Sequence, residues 1–410
     1  MGRASPARQR GRSIAEGKRL SALDILFVEP YDGGSHRAFR EGLAAVSRHR
    51  FHALTLPPRF WKWRMRGSAA WFADRVREEL PACDLILATD FLNAADFRGL
   101  LPPPYDRRPL VLYMHENQLT YPLSPDEEFD YHFGATNIIS ALAADRVVFN
   151  SEYHRAVFLD GLPGYLGKMP EAVPKGVRDR LAARSCVLPV GIARASRPAG
   201  ERAPWLGGPD GSPAGQRWPR DGAQPLVLWN HRWEFDKRPA WLVAALSALH
   251  EEGRPFRVAL LGEPRGHEET FEPLRQRLGS RVVAWADATT RAAYEAWLSC
   301  ADVVVSCAAQ EYFGIGVAEA VHAGAYAVLP REQVYPSLYG NACRGRHLYE
   351  GAEGLVELLR DVLCGRCGHA CALPLVADEF CWDRLAVRFD ALLEATVAAG
   401  GKEERDEPAA

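Results

Sequence analysis

"CAAQEYFGIGVAEAVHAGAYAVLP", residues 307–330, runs from the end of one apolar strand through a tight Phe-Gly-Ile-Gly turn and a short helix into the next apolar strand. A strand, a helix and a second apolar strand in immediate succession form a crossover unit, and crossover units build parallel sheets covered on both faces. Gly314 and Gly316 let the backbone approach a ligand closely. The helix that follows them offers unpaired N–H groups and a positive dipole end to an anion, with phosphate the expected one. Glu311 and Glu319, separated by seven residues, flank this turn. Two carboxylates repel a phosphate, so their use is to accept hydrogen bonds from hydroxyls, of a sugar on one side and a ribose on the other. Surface glutamates on an ordinary strand–turn–helix would account for the spacing alone. The strand before it, the Phe-Gly turn and the His-Ala-Gly ending favour a ligand site.

The same alternation extends in both directions. Strands are predicted at 225–230, 256–263, 281–287, 301–309 and 325–330, with helices near 237–250, 268–278, 290–299 and 315–323. The first half repeats the pattern, with strands at 23–30, 84–91, 109–117, 145–153 and 185–191 and helices such as 36–47 and 134–144. Residues 195–224, "ASRPAGERAPWLGGPDGSPAGQRWPRDGAQ", are dense in Pro and Gly without periodicity, which reads as a linker or insertion. The expected class is therefore α/β, with two doubly wound, Rossmann-like domains at 22–194 and 225–378 facing a cleft. An amphipathic helix at 379–398 follows, and residues 1–21 and 399–410 read as disordered tails. Ligands of open parallel sheets bind beyond the carboxyl ends of the strands, so two facing sheets hold one substrate each. That arrangement suits a transferase.

At 410 residues the chain exceeds one ordinary core, and 47% hydrophobic with 25% charged residues is a soluble globular composition. A formal net charge of −2 excludes wholesale coating of nucleic acid and leaves room for a local patch. No run approaches the roughly 20 apolar residues that span a bilayer, and no apolar segment follows the basic start. Cysteines in apolar runs (Cys83, Cys300, Cys307) read as reduced thiols, so a cytoplasmic location is expected. "CGRCGHAC" brings Cys364, Cys367, His369 and Cys371 close in sequence; a small-residue loop after a helix is favoured over a zinc site.

"LWNHRWEFDKRP" (228–239) ends a strand with Arg232 and Lys237, two cations able to neutralise a departing diphosphate without a metal. "EPYDGGSHRAF" (29–39) follows the first strand, with Gly33 and Gly34 in the turn and His36 in the first helical turn. His115 ends the strand in "LYMHENQLTYP" (112–122), where an imidazole can bond a sugar hydroxyl or move a proton. Asn150 and Ser151 end another strand, and a helix cap is their favoured use. "PPRFWKWRMRG" (57–67) interleaves Phe60, Trp61 and Trp63 with Arg59, Lys62, Arg64 and Arg66. It fits neither a clean helix face nor a one-sided strand and reads as a loop. Its rings either anchor a core or stack on bases.

The Glu-x7-Glu stretch, with the Arg and Lys at the end of the first strand of the second domain, resembles the retaining nucleotide-sugar-dependent glycosyltransferases of family 4, which have the GT-B fold. Within that family, "EPYDGGSHRAF", "LTLPPRFWKWRMRGSAAWFA", "MHENQLTYP", "FGATNIISALAADRVVFNSEYHR" and "HRWEFDKRP" are similar to the tRNA-queuosine alpha-mannosyltransferases. The match covers most of 23–335. The resemblance implies transfer of mannose from GDP-mannose to the queuosine nucleoside in the anticodon loop of aspartate tRNA. It implies no metal and no protein nucleophile, the leaving phosphate accepting the proton of the acceptor. Arg232, Lys237, Glu311 and His115 would do the chemistry. Gly33, Gly34, Phe313, Gly314, Ile315 and Glu319 would join Arg232, Lys237 and Glu311 around the donor. His36 with residues Arg59, Phe60, Trp61, Lys62, Trp63, Arg64 and Arg66 would meet the RNA, rings stacking and cations on phosphate. Two rival readings are a family 4 enzyme for a small metabolite or lipid acceptor, and a non-catalytic protein holding RNA or a nucleotide.

Overall fold

The computed structural model describes residues 21–123, 128–194, 224–264, 267–286, 290–366 and 373–406, with side chains up to residue 400. The first half runs β1 (Asp24–Glu29), α1 (Gly34–Val46), β2 (Arg50–Thr55), α2 (Trp61–Glu79), β3 (Leu85–Thr89) and α3 (Ala94–Leu100). It continues through β4 (Leu110–Met114), α4 (Tyr131–Ala143), β5 (Arg146–Phe149), α5 (Glu152–Leu166), α6 (Val177–Arg184) and β6 (Ser185–Val187). The second half begins β7 (Leu226–Trp229), α7 (Pro239–Glu251), β8 (Arg257–Leu260), α8 (Glu272–Leu278), β9 (Val282–Trp285), α9 (Arg291–Cys300) and β10 (Val303–Val305). Then come α10 (Ile315–Ala323), β11 (Tyr326–Pro330), α11 (Tyr335–Tyr339), β12 (Leu348–Tyr349), α12 (Gly351–Leu363), α13 (Leu373–Asp378) and α14 (Trp382–Asp406).

Each half carries a six-stranded sheet, ordered β2-β1-β3-β4-β5-β6 and β12-β11-β10-β7-β8-β9, with every pairing parallel. β3, β4, β7, β10 and β11 are buried at every position, which is why they read as unbroken apolar runs. β1 and β3 on one side, and β7 and β10 on the other, lie at the points where strand order reverses, the crevice where doubly wound sheets take ligands.

α14 leaves the second half and returns to the first. Ile192 donates its N–H to the Phe380 carbonyl at 2.9 Å, and Trp382 donates to the Ile192 carbonyl at 3.1 Å, so the two crossing segments touch edge to edge. The Trp382 indole then fills a slot where Gly42 on α1 and Gly191 come within contact; a β-carbon at Gly42 would stand 2.0 Å from its Nε1. Farther along, Ser47 donates its hydroxyl to Asp390 at 2.6 Å.

Two expectations are corrected. Residues 61–67 are not a loop but the first turns of α2. Met65, Ser68, Ala69, Phe72, Ala73 and Val76 recur at helical spacing and form its buried stripe; most of that stripe lies beyond the window 57–67, which therefore hid the period. α14 also continues to Asp406, past the end expected at 398. "KEER" at 402–405 is made of good helix formers, and adding residues to a nucleated helix is easy. Residues 1–20, most of the Pro/Gly-rich segment (195–223), and Cys367, His369 and Cys371 lie outside the described residues, while Cys364 ends α12. Among the described residues no helix is long and apolar enough to cross a membrane.

Candidate active site

β7 delivers the chain into a short turn, Phe235–Lys237, that carries a buried Asp236 and a buried Lys237. Lys237 Nζ donates to the Gln310 carbonyl at 2.7 Å and lies 3.3 Å from Glu311 and 3.1 Å from Asp236. Burial works against its charge, but Glu311 and Asp236 outweigh that and raise its pKa, so the ammonium stays protonated. Glu311 spends its other oxygen on the Gly314 N–H at 3.1 Å, tying the carboxylate to the start of α10. Gly314 itself has φ +80°, a left-handed conformation that a side chain would strain, and it opens α10, whose first N–H groups have no side-chain cap. Arg232 is half-buried and pairs with Glu234 at 3.3 Å. Despite burial, its pKa is raised by Tyr121, Glu234, Glu116 and Asp236.

Glu319 stands apart from this pair, in the middle of α10. It is buried, accepts from Arg291 at 2.8 Å and is bonded by Tyr294. Tyr294 in turn takes a hydrogen bond from Asn230 at the end of β7, and Asn230 also donates to the Gly316 carbonyl, both at 2.9 Å. Burial raises the Glu319 pKa, and Arg291 opposes the rise. Phe313 is buried against Phe380, and Ile315 opens α10.

Across the cleft, His115 follows β4. Its backbone N–H donates to Asp90 at 2.8 Å and its carbonyl accepts from Asn150 at 2.8 Å, while its buried ring Nε2 has no hydrogen-bond partner among the described residues. Burial, then the neighbouring His36 and His154, push its pKa well down, so the imidazole is neutral. His36 behaves oppositely. Burial would lower its pKa, but Glu29, 3.1 Å from Nδ1, outweighs burial and lifts it to about 9. The two rings lie with centroids 4.0 Å apart, an imidazolium behind a neutral imidazole. The His36 ring, expected on the acceptor side, is buried between Phe91 and His115. Gly33 and Gly34 open α1; Gly33 lies so close to Pro58 that a β-carbon would come within 2.4 Å, and Gly34 has φ +52°.

Sequence reasoning missed a residue that joins the halves. Tyr312, between Glu311 and Phe313, inserts into the first half. Its hydroxyl accepts from Asn117 at 3.0 Å, its carbonyl accepts from Ser151 at 2.6 Å, and its ring stacks on His154 with centroids 4.1 Å apart. His154 Nδ1 is bonded to Asn150, whose amide holds His115 in place. Ser151 also accepts from the His154 N–H and so caps α5 as expected. Tyr121 donates to Asp236 at 3.1 Å, a further bond across the cleft. A tyrosine inside a glycine-rich turn was the available signal. Nothing local indicates where its ring goes.

The aromatic stretch divides. Trp61 packs on Phe133 and Phe91, at 4.9 and 6.0 Å between centroids, and is half-buried there. Phe60 and Trp63 stay 68% and 69% exposed. Arg59 lies over the Phe60 ring and Lys62 over Trp61. Arg64 donates to the Pro57 carbonyl at 3.2 Å, and Arg66 pairs with Asp130. Two groups among the described residues gather three possible metal-ligating side chains, Glu29–His36–His115 and His322–Asp378–Cys381. In the first, Glu29 is already paired with His36; in the second, Asp378 is paired with Arg194 and Arg384.

A sequence-family model for the N-terminal part of tRNA-queuosine alpha-mannosyltransferases matches residues 24–192. A tRNA-queuosine alpha-mannosyltransferase of Drosophila melanogaster is 33% identical over 343 residues, 82% of this chain and 85% of that protein. Among solved structures, the catalytic domain of starch synthase IV from Arabidopsis thaliana, bound to ADP and acarbose, superposes with a TM-score of 0.66 at 12% identity, covering 92% of this chain and 100% of that one. Sucrose-phosphate synthase from Thermosynechococcus elongatus gives 0.62 at 17%, over 92% and 100%. Anabaena HepE in complex with UDP and glucose gives 0.58 at 16%, over 91% and 100%. At these identities the structural matches establish the fold, which is GT-B.

Proposed function

The chain belongs to the tRNA-queuosine alpha-mannosyltransferases, and from that membership we propose that it transfers mannose from GDP-mannose to queuosine in the anticodon loop of aspartate tRNA, in the cytoplasm and with retention. The observation that carries this reading is the Lys237–Glu311–Gly314 contact at the start of α10, with Arg232 in the same electrostatic field. The helix start and the two cations hold the diphosphate and stabilise the charge that gathers on it as the glycosidic bond breaks. Glu311, anchored at both oxygens, holds a sugar hydroxyl, and Glu319 faces the ribose. The neutral His115 has its Nε2 unspent and takes a hydroxyl of the transferred sugar. No protein nucleophile is assigned; the leaving phosphate accepts the proton of the acceptor hydroxyl on the same face. The cations make a metal dispensable.

Incubation with queuosine-containing tRNA and a panel of labelled nucleotide sugars, with and without chelator, tests this. Label should enter the tRNA from GDP-mannose alone and at the same rate with chelator present. Label entering a small acceptor but not tRNA, or lost on chelation, would reject the reading.

A further inference from the structure

Four large rings are exposed at one end of the first half. Phe60 and Trp63 belong to the start of α2, while Phe129 (38% exposed) and Tyr131 (53%) lead into α4. Arg66 joins the two groups: its guanidinium pairs with Asp130, between Phe129 and Tyr131, and lies 5.0 Å from the centroid of Phe133. Phe129 and Tyr131 meet edge to face at 4.7 Å. Lys168, from the turn after α5, covers both, its Nζ 4.6 and 5.4 Å from their centroids. Lysine is rare in this chain, 6 of 50 basic residues, yet Lys62 and Lys168 each lie over an aromatic ring.

We propose that the RNA-binding surface extends from α2 to Phe129, Tyr131 and Lys168, and that these three grip nucleotides flanking the modified one. The inference rests on the tRNA reading above. Rings exposed to water without a partner cost solvation, and a protein partner would bury them under apolar cover. Here each ring group carries a cation instead, which supplies a π-face for a base and a charge for the neighbouring phosphate in one unit. Among the described residues near Phe129 and Tyr131 the acids are Glu128 and Asp130, and Asp130 is paired with Arg66. The recognised chemistry is single-stranded RNA.

Binding of a labelled anticodon stem–loop RNA of aspartate tRNA sequence, measured against salt, is the test. Tyr131→Ala should weaken binding about tenfold through lost stacking. Lys168→Ala should weaken it and flatten the dependence of log affinity on log salt by about 0.7, one phosphate on a single strand. GDP titration of each variant checks that it is folded. Unchanged affinity and slope in both variants, while Trp63→Ala binds more weakly, would overturn the extension and leave the tRNA reading standing. Unchanged RNA binding with a changed oligomeric state would make the patch a protein interface instead. Wild-type protein that does not bind the RNA would overturn both.

Discussion

Lys237 carries two tasks in one ammonium. It neutralises Asp236 and Glu311 in the folded chain, and it is the charge a departing diphosphate would meet. Lys237→Ala should therefore cut transfer by at least 10²-fold, the scale of one lost stabilising donor. It should also lower the melting temperature, because it strands the buried Asp236 carboxylate, a cost of about 3–5 kcal/mol. Full activity in a labelled-mannose assay would reject the clamp. His36 makes a second prediction at this scale. Its pKa is raised from 6.5 to about 9, chiefly by Glu29 against the opposing effect of burial. A group with a raised folded pKa adds stability in full below pH 6.5, and loses it as pH climbs through 9. Wild type should lose a few kcal/mol relative to His36→Gln between those limits. Parallel urea midpoints across that range would disprove the ion pair.

Elements are held together by small residues at crossings as much as by their own propensities. α14 reaches the first half because Gly42 leaves room for the Trp382 indole, which also lies 5.8 Å from the Phe39 ring. Gly42→Ala would place a methyl 2.0 Å from the Trp382 indole nitrogen, and overpacking of this kind costs about 1–3 kcal/mol. The expected outcome is an earlier thermal transition, with weakened near-ultraviolet dichroism from tryptophan. A melt identical to wild type would mean that α14 is not docked there. α2 shows how a window misleads: read over 57–67 it looks aperiodic, and read to residue 76 it has a regular apolar stripe. The edge strand β2 was missed for another reason. Only Leu54 in it is buried, so it lacks the apolar run that marked its neighbours.

At the scale of the whole molecule, Tyr312 couples the two sheets. It belongs to the donor-side turn, but its ring and hydroxyl are satisfied by His154, Asn117 and Thr120 of the other half. Through His154 and Asn150 it connects Glu311 to the loop that presents His115. Tyr312→Phe keeps the stacking and removes the hydroxyl bonds, each worth about 1 kcal/mol. The cleft should then stay closed less of the time and admit water. We expect a larger radius of gyration by small-angle scattering and a higher fraction of donor hydrolysed instead of transferred. Unchanged values of both would remove Tyr312 as a latch.

The sequence by itself determined the two parallel sheets, because a strand buried on both faces must be apolar throughout and a crossover must be helical. It also placed Arg232, Lys237 and Glu311 after strands and Glu319 within the helix that follows the Phe-Gly turn, since strand ends and turns have local chemical signatures. Only the tertiary structure decided which of these residues meet. Lys237 contacts Glu311 directly, whereas Glu319 is held by Arg291 and Tyr294 on another side of α10. It also decided that His36 is a buried imidazolium, that Trp61 is half-buried against Phe91 and Phe133 while Trp63 is exposed, and that Tyr312 crosses the cleft. Those outcomes depend on partners far away along the chain. Burial and charge pairing are properties of a neighbourhood in space, which no stretch of sequence specifies by itself.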